Sequence, residues 1–139
     1  MRDLNHIAYA RADQFYKRGR LFAAAKWFSV AVKEWPTDYQ ALWALGDTFS
    51  ELKKPKKALN FYAKAIELAP AKEQSDLNYN LGNAFFDQGR YEKAIASYRK
   101  VLPNHVAATL AVKNIELSRQ YLATQPNPSF KRDWLKPAP

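Results

Sequence analysis

Phe15, Phe49 and Phe85 stand 34 and then 36 residues apart, and Ala24, Ala58 and Ala94 repeat the same two intervals. Pro36 and Pro70 are again 34 apart. Three landmarks on one period constrain the fold more than composition does, because a fixed interval of this length marks stacked copies of one supersecondary unit. One such unit cannot bury its own apolar face, so about three must stack before the array is stable.

Each unit reads as two helices. In the second, Leu42, Leu45, Phe49 and Leu52 recur in steps of three and four, the stripe of an amphipathic helix. Thr37 with Gln40 suggests a capping box at its start. Pro55 suits the first turn of the next helix, where a missing N–H costs nothing; Leu59, Tyr62, Ala65 and Ile66 give that helix its buried stripe, and Pro70 stops it. The third unit carries Leu81, Phe85 and Phe86, a turn at Gln88-Gly89-Arg90, then Tyr91, Ala94, Ile95, Tyr98 and Val101. In the first, Phe15 precedes a turn at Arg18-Gly19-Arg20, followed by Leu21, Ala24, Phe28 and Ala31.

These residues resemble the tetratricopeptide repeat (TPR) family, whose helix–turn–helix carries W-x2-L-G-x2-Y, then A-x3-F, then P. The second unit matches with Leu42 at the Trp place, Leu45-Gly46, Phe49, Ala58-x3-Tyr62 and Pro70. The third has Leu81-Gly82, Phe85 and Ala94-x3-Tyr98, with Asn78 at the Trp place and Pro103 three residues early. The first has Arg11-Ala12 where Leu-Gly is expected, then Phe15, Gly19, Ala24-x3-Phe28 and Pro36. The resemblance implies an all-α, right-handed α-solenoid over residues 1–125, with repeats at 5–38, 39–72 and 75–103. Gly46 and Gly82 are expected to let first helices approach their partners closely. Residues 104–124 read as a capping helix that shields the last repeat, started by Asn104, with Leu110, Asn114, Leu117 and Tyr121 following at helical spacing. Pro103 is expected to shorten the preceding helix by nearly one turn.

Residues 126–139 differ in character. Prolines at 126, 128, 137 and 139 predict an extended tail. It carries Phe130, Trp134 and Leu135 among Lys131, Arg132 and Lys136, which suggests docking in its own groove, a neighbour's, or on a partner.

Composition removes several function classes. The chain has 139 residues, no cysteine and two histidines, His6 and His105, so thiol chemistry is absent and a histidine metal site has little material. No nucleotide-binding glycine motif and no nucleophile–base set occurs. The expectation is a non-enzymatic protein without cofactor or metal. No apolar run spans a bilayer and the first residues lack signal-peptide character, which predicts a cytoplasmic protein, or a periplasmic or organellar one if a targeting segment was removed.

In the resembled family the first helices of successive repeats line a concave groove for a peptide. That resemblance points inward His6, Tyr9, Asp13, Tyr16 and Lys17 from the first unit, and Gln40, Trp43, Asp47, Ser50 and Glu51 from the second. The third contributes Asp76, Tyr79, Asn80, Asn83, Phe86 and Asp87. Trp43, Tyr79 and Phe86 also suit packing between repeats. The groove is aromatic and mildly acidic although the chain has a net charge of +9, so the excess bases fall on second helices and loops. Such a groove favours an extended partner segment with apolar anchors and Lys or Arg between them, making the chain an adaptor that helps assemble or stabilise a multiprotein complex. Replacing Trp43 or Tyr79 by Ala is expected to abolish binding without unfolding the stack. The Lys and Asn set with which some family members clamp a chaperone's C-terminal carboxylate is missing, its places being held by Tyr9, Asp13, Ala44, Asp76 and Asn80. Two alternatives stand beside the adaptor: a binder of nucleic acid or anionic surfaces through bases such as Lys53, Lys54, Lys56 and Lys57, and a secretion-type chaperone.

Overall fold

The computed structural model describes the backbone of residues 3–125 and the side chains from Ile7 to Gln125. The expectations for His6, Phe130, Trp134 and Leu135 fall outside the described residues. Among the described residues seven helices follow one another: α1 (Asp3–Lys17), α2 (Leu21–Glu34), α3 (Tyr39–Glu51), α4 (Pro55–Leu68), α5 (Ala71–Asp87), α6 (Tyr91–Tyr98) and α7 (Ala108–Thr124). Each packs on the next, and α3 also touches α5. This is an all-α solenoid of three helix pairs closed by a seventh helix.

The turn inside each pair has one construction, and it explains the glycine positions. The N–H groups of Arg20, Lys54 and Arg90 each donate to the carbonyl five residues back, those of Phe15, Phe49 and Phe85, at 2.9 Å. The residue before each donor takes a left-handed backbone: Gly19 and Gly89 at φ 75°, Lys53 at φ 61°. That is a Schellman ending, which satisfies the orphan carbonyls of the first helix and reverses the chain. Lys53 occupies without benefit of glycine a conformation that costs an L-residue about 1–2 kcal/mol. Lys53→Gly is therefore expected to raise stability by about 0.5–1 kcal/mol, part of the relief being offset by glycine's larger unfolded-state entropy. A urea titration with unchanged m-value would read it.

Close approach within the pairs rests on small residues. Ala24, Ala58 and Ala94 are completely buried. A Cβ on Gly46 would lie 2.7 Å from the Tyr62 ring, and one on Gly82 2.6 Å from the Tyr98 ring. Phe49 stacks on Phe61 with ring centroids 5.6 Å apart, sealing the second pair.

Three local expectations need correction. Asp38 rather than Thr37 caps α3: its carboxylate accepts the Gln40 N–H at 3.0 Å and the Ala41 N–H at 3.4 Å, and an ionised acceptor at a helix start is also favoured by the dipole. Helix α6 has 8 residues against 14 in α4, a larger loss than one turn. Pro103 disfavours helical backbone at Leu102, and residues 99–101 leave the helix, Lys100 and Val101 donating only three residues back.

The third correction concerns α7. It starts at Ala108, and no side chain caps it. Asn104 lies instead in a turn, where His105 Nδ1 accepts the Ala107 N–H at 3.0 Å and Nε2 lies 3.2 Å from Asp76 on α5. Its buried face is Ala111 and Ser118 with Ile115 alongside, while Leu110, Leu117 and Tyr121 are 50, 39 and 43% exposed. Tyr98 and Val101 already fill the space ahead of α7, so the approaching face must be small. The Ser118 hydroxyl is satisfied by the Asn114 carbonyl at 2.7 Å.

Candidate functional site

The groove floor follows the repeat. Asp13, Asp47 and Asn83 occupy one place on α1, α3 and α5, and the second helix of each pair decides what they meet. The Tyr62 ring passes beneath Gly46 and its hydroxyl donates to Asp47 Oδ1 at 2.6 Å. Tyr98 passes beneath Gly82 and donates to Asn83 Oδ1 at 2.5 Å. The first pair has Phe28 here, without a hydroxyl, and Asp13 pairs with Lys17 at 2.9 Å. That pair is largely exposed and contributes little.

Around Asp47 the floor deepens into a pocket of about 160 Å³, lined by Tyr16, Asp47, Ser50, Glu51, Tyr62, Asn80 and Asn83. The Tyr16 hydroxyl donates to Glu51 Oε1 at 2.8 Å, and Asn80 Nδ2 reaches Asp47 Oδ1 at 3.5 Å. Burial pushes the Asp47 carboxyl up to about 6; the Tyr62 hydrogen bond opposes this and the Glu51 charge adds to it. The hydroxyls of Tyr16 and Tyr62 are pushed well above the ordinary phenol range, by burial first and then by the neighbouring carboxylates, so both stay protonated donors. No lysine or arginine lines this pocket. Two carboxylates therefore share it with neutral donors, and a cation is the ligand whose charge it complements.

The pocket unites Tyr16, Asp47, Ser50, Glu51, Asn80 and Asn83, six of the residues expected in the groove. The others lie elsewhere. Tyr9 packs edge-on to Phe28 with centroids 5.3 Å apart. Trp43 is half-buried against the central core cluster. Tyr79 lies 5.8 Å from the Tyr98 ring and accepts from Asn114 Nδ2 at 3.3 Å. Phe86 is enclosed by Tyr91 and Tyr121, at 5.1 and 5.6 Å. Asp76 meets His105, the Gln40 backbone is held by the Asp38 cap, and Asp87 is exposed, its carboxyl raised by partial burial against the opposing charge of Lys53.

Sequence reasoning confined the groove to first helices and so missed two contributions. Tyr62 comes from a second helix; the signal was the Tyr closing A-x3-Y where the first unit has Phe28. The second is α7: Asn114 donates to Tyr79 and Asn83, so the face it shares with Leu110, Leu117 and Tyr121 borders the groove.

Among the described residues no group of three or more acidic, His or Cys side chains is arranged to hold a metal, and no helix is long and apolar enough to cross a membrane.

Two stretches match models of the tetratricopeptide repeat, residues 39–72 and 75–103. No curated protein matches the sequence. Among solved structures, the first TPR of Spaghetti (RPAP3) bound to the HSP90 peptide SRMEEVD is similar at a TM-score of 0.76 and 20% identity, over 86% of this chain and 94% of that one. The TPR2B domain of yeast Sti1 in its pHsp70 complex is similar at 0.75 and 15% identity, over 84% and 96%. The Yersinia enterocolitica type III secretion chaperone SycD, with a peptide of the translocator YopD, is similar at 0.74 and 14% identity, over 83% and 92%. At these identities the likeness is one of fold.

Proposed function

The chain belongs to the tetratricopeptide repeat family, and on that premise we propose that its groove holds an extended segment of a partner protein, as a non-enzymatic adaptor that helps assemble or stabilise a multiprotein complex. The observation that carries this reading is the open pocket around Asp47, where side chains of α1, α3, α4 and α5 converge on a surface that no part of the described chain fills. That proteins of similar fold are found in complex with peptides supports the same reading.

The peptide of the Spaghetti relative does not suit this groove. SRMEEVD is rich in carboxylates, and here it would meet Asp47 and Glu51 with Asp13 and Asp76 at the clamp places. Like charges brought together in a partly desolvated groove repel. The convex bases are also less available than their number suggests. Lys57 lies over Phe49 at 5.2 Å, Lys64 over Phe61 at 5.6 Å, and Arg90 and Lys93 over Phe85 at 5.0 and 5.9 Å. These contacts engage the cations with ring faces.

Truncating Trp43 or Tyr79 would disturb packing as well as the groove, so the expectation that such variants leave the stack intact does not suit a clean test. A benzophenone amino acid at Ser50, in the pocket, is compared with one at Lys26 on α2. Protein adducts formed in lysate from Ser50 and not from Lys26 are the expected result. Adducts from Lys26 alone, prevented when nuclease or high salt is added before irradiation, would move the working surface to the convex bases.

A further inference from the structure

The groove changes character along its length. At α1, α3 and α5 it is the polar pocket around Asp47; at α7 it presents Leu110, Leu117 and Tyr121, each more than a third exposed. The two parts are continuous. Asn83 lines the pocket and also lies 3.5 Å from Asn114 Nδ2, while the Tyr121 ring lies 5.6 Å from Phe86 on α5.

Resting on the groove reading above, we propose that the partner segment is bipartite: it presents one Lys or Arg side chain to the pocket between α1, α3 and α5, and a bulky apolar residue about six positions away to the exposed face of α7. Charge complementarity argues for the first half. The pocket holds Asp47 and Glu51 with no base in its lining, so an anion would be repelled and a neutral group would leave both carboxylates unmatched. A volume of about 160 Å³ admits an ammonium or guanidinium with the end of its stem. Contiguous exposed apolar side chains argue for the second half, since a monomer gains nothing by leaving Leu110, Leu117 and Tyr121 in water. The spacing follows from helix geometry. Packed helices lie about 8–10 Å apart, so the two steps from α3 to α5 and from α5 to α7 span about 16–20 Å, or about five to six extended residues at ~3.3 Å each.

Acidity should act on the same site. Facing Asp47 are Glu51 from α3, Tyr16 from α1, Tyr62 from α4 and the uncharged Asn80 from α5. Both tyrosines stay neutral, so the acid response of the site is assigned to Asp47. A bound cation favours ionised Asp47, which in the free protein is half protonated near pH 6. Binding is expected to weaken about ten-fold between pH 7 and pH 5.

The probe is an acetylated, amidated ten-residue peptide in a Ser/Thr/Gly background, with Lys at its second position, Trp at its eighth and a terminal fluorophore. Anisotropy is measured with the full chain. Replacing the peptide lysine by norleucine, or Asp47→Asn in the protein, should raise Kd about ten-fold at pH 7. Leu117→Ser, or serine for the peptide Trp, should do the same. Both protein variants suit the fold: Asn83 already accepts from Tyr98 as Asp47 accepts from Tyr62, and Leu117 is exposed. Circular dichroism confirms it.

Equal binding by the norleucine peptide and by Asp47→Asn overturns the cation assignment while leaving the groove reading standing. Equal binding by Leu117→Ser overturns the α7 half. A bound peptide that forms no adduct with benzophenone at Ser50 counts against the groove reading itself. Tighter binding by a full-length Phe130→Ser/Trp134→Ser variant would give the groove to the chain's own residues 126–139 and overturn the partner assignment, as would self-association that the peptide competes away.

Discussion

Replacing Gly82 by alanine is expected to destabilise the chain by about 2 kcal/mol, although it adds a single methyl group. The methyl would sit 2.6 Å from two atoms of the Tyr98 ring and 3.0 Å from a third. That ring cannot swing aside: it is 2% exposed, its hydroxyl is held by Asn83, and Tyr79 packs against it. Relief must come from moving α5 away from α6, which opens gaps around Ala94, itself completely buried. Gly46→Ala is expected to behave alike, because its methyl would lie 2.7 Å from a Tyr62 ring held by Asp47. Gly19→Ala supplies the contrast. No atom lies within 4 Å of a methyl there, so its cost is only that of φ 75°, about 1 kcal/mol. The check is a set of chemical denaturation curves for the three variants. A cost for Gly82→Ala no larger than for Gly19→Ala would sink the close-approach account.

The parts of this fold that one period dictates were legible in the sequence. Phe15, Phe49 and Phe85 mark the helix ends, Ala24, Ala58 and Ala94 mark the contacts, and Gly19 and Gly89 mark two of the three turns. The third turn was less visible, because Lys53 adopts the left-handed backbone that glycine adopts elsewhere, and charge does not announce backbone conformation. Helix α7 misled for a different reason. It carries two stripes of helical spacing, and reasoning from hydrophobicity buries the large one, Leu110 to Tyr121. Packing against Tyr98 and Val101 selects the small one, Ala111 to Ser118. The same preference for small residues at close contacts was readable at Gly46 and Ala58. The first-helix residues that line the pocket are the ones whose places in the repeat put them there. The hydroxyls from α4 and α6 were not legible, since a Tyr in a core stripe looks the same whether or not its far end emerges.

That emergence sets the second large effect, on Asp47. Its carboxyl titrates near 6 in the folded chain against an ordinary value of 3.8, because burial disfavours the charge. A raised acid pKa means that the folded state takes up its proton first as pH falls. The penalty of ionised Asp47 is thus fully present above pH 6, shrinks as pH drops through 6 towards 4, and is absent below. The span of about two units corresponds to about 2–3 kcal/mol. The Asp87 carboxyl is raised as well, so the informative quantity is the difference between wild type and Asp47→Asn. The amide oxygen can still accept from Tyr62, as Asn83 accepts from Tyr98, while the charge is gone. Asp47→Asn is expected to be more stable than wild type by about 2 kcal/mol at pH 7.5, with the gap closing near pH 4. Urea midpoints for both proteins at four pH values would decide; a gap independent of pH would refute the buried-charge account. The variant expected to fold better is also the one expected to lose the cationic partner. A carboxylate that weakens its own fold, where the next repeat uses an amide, is the pattern of a group serving binding over stability.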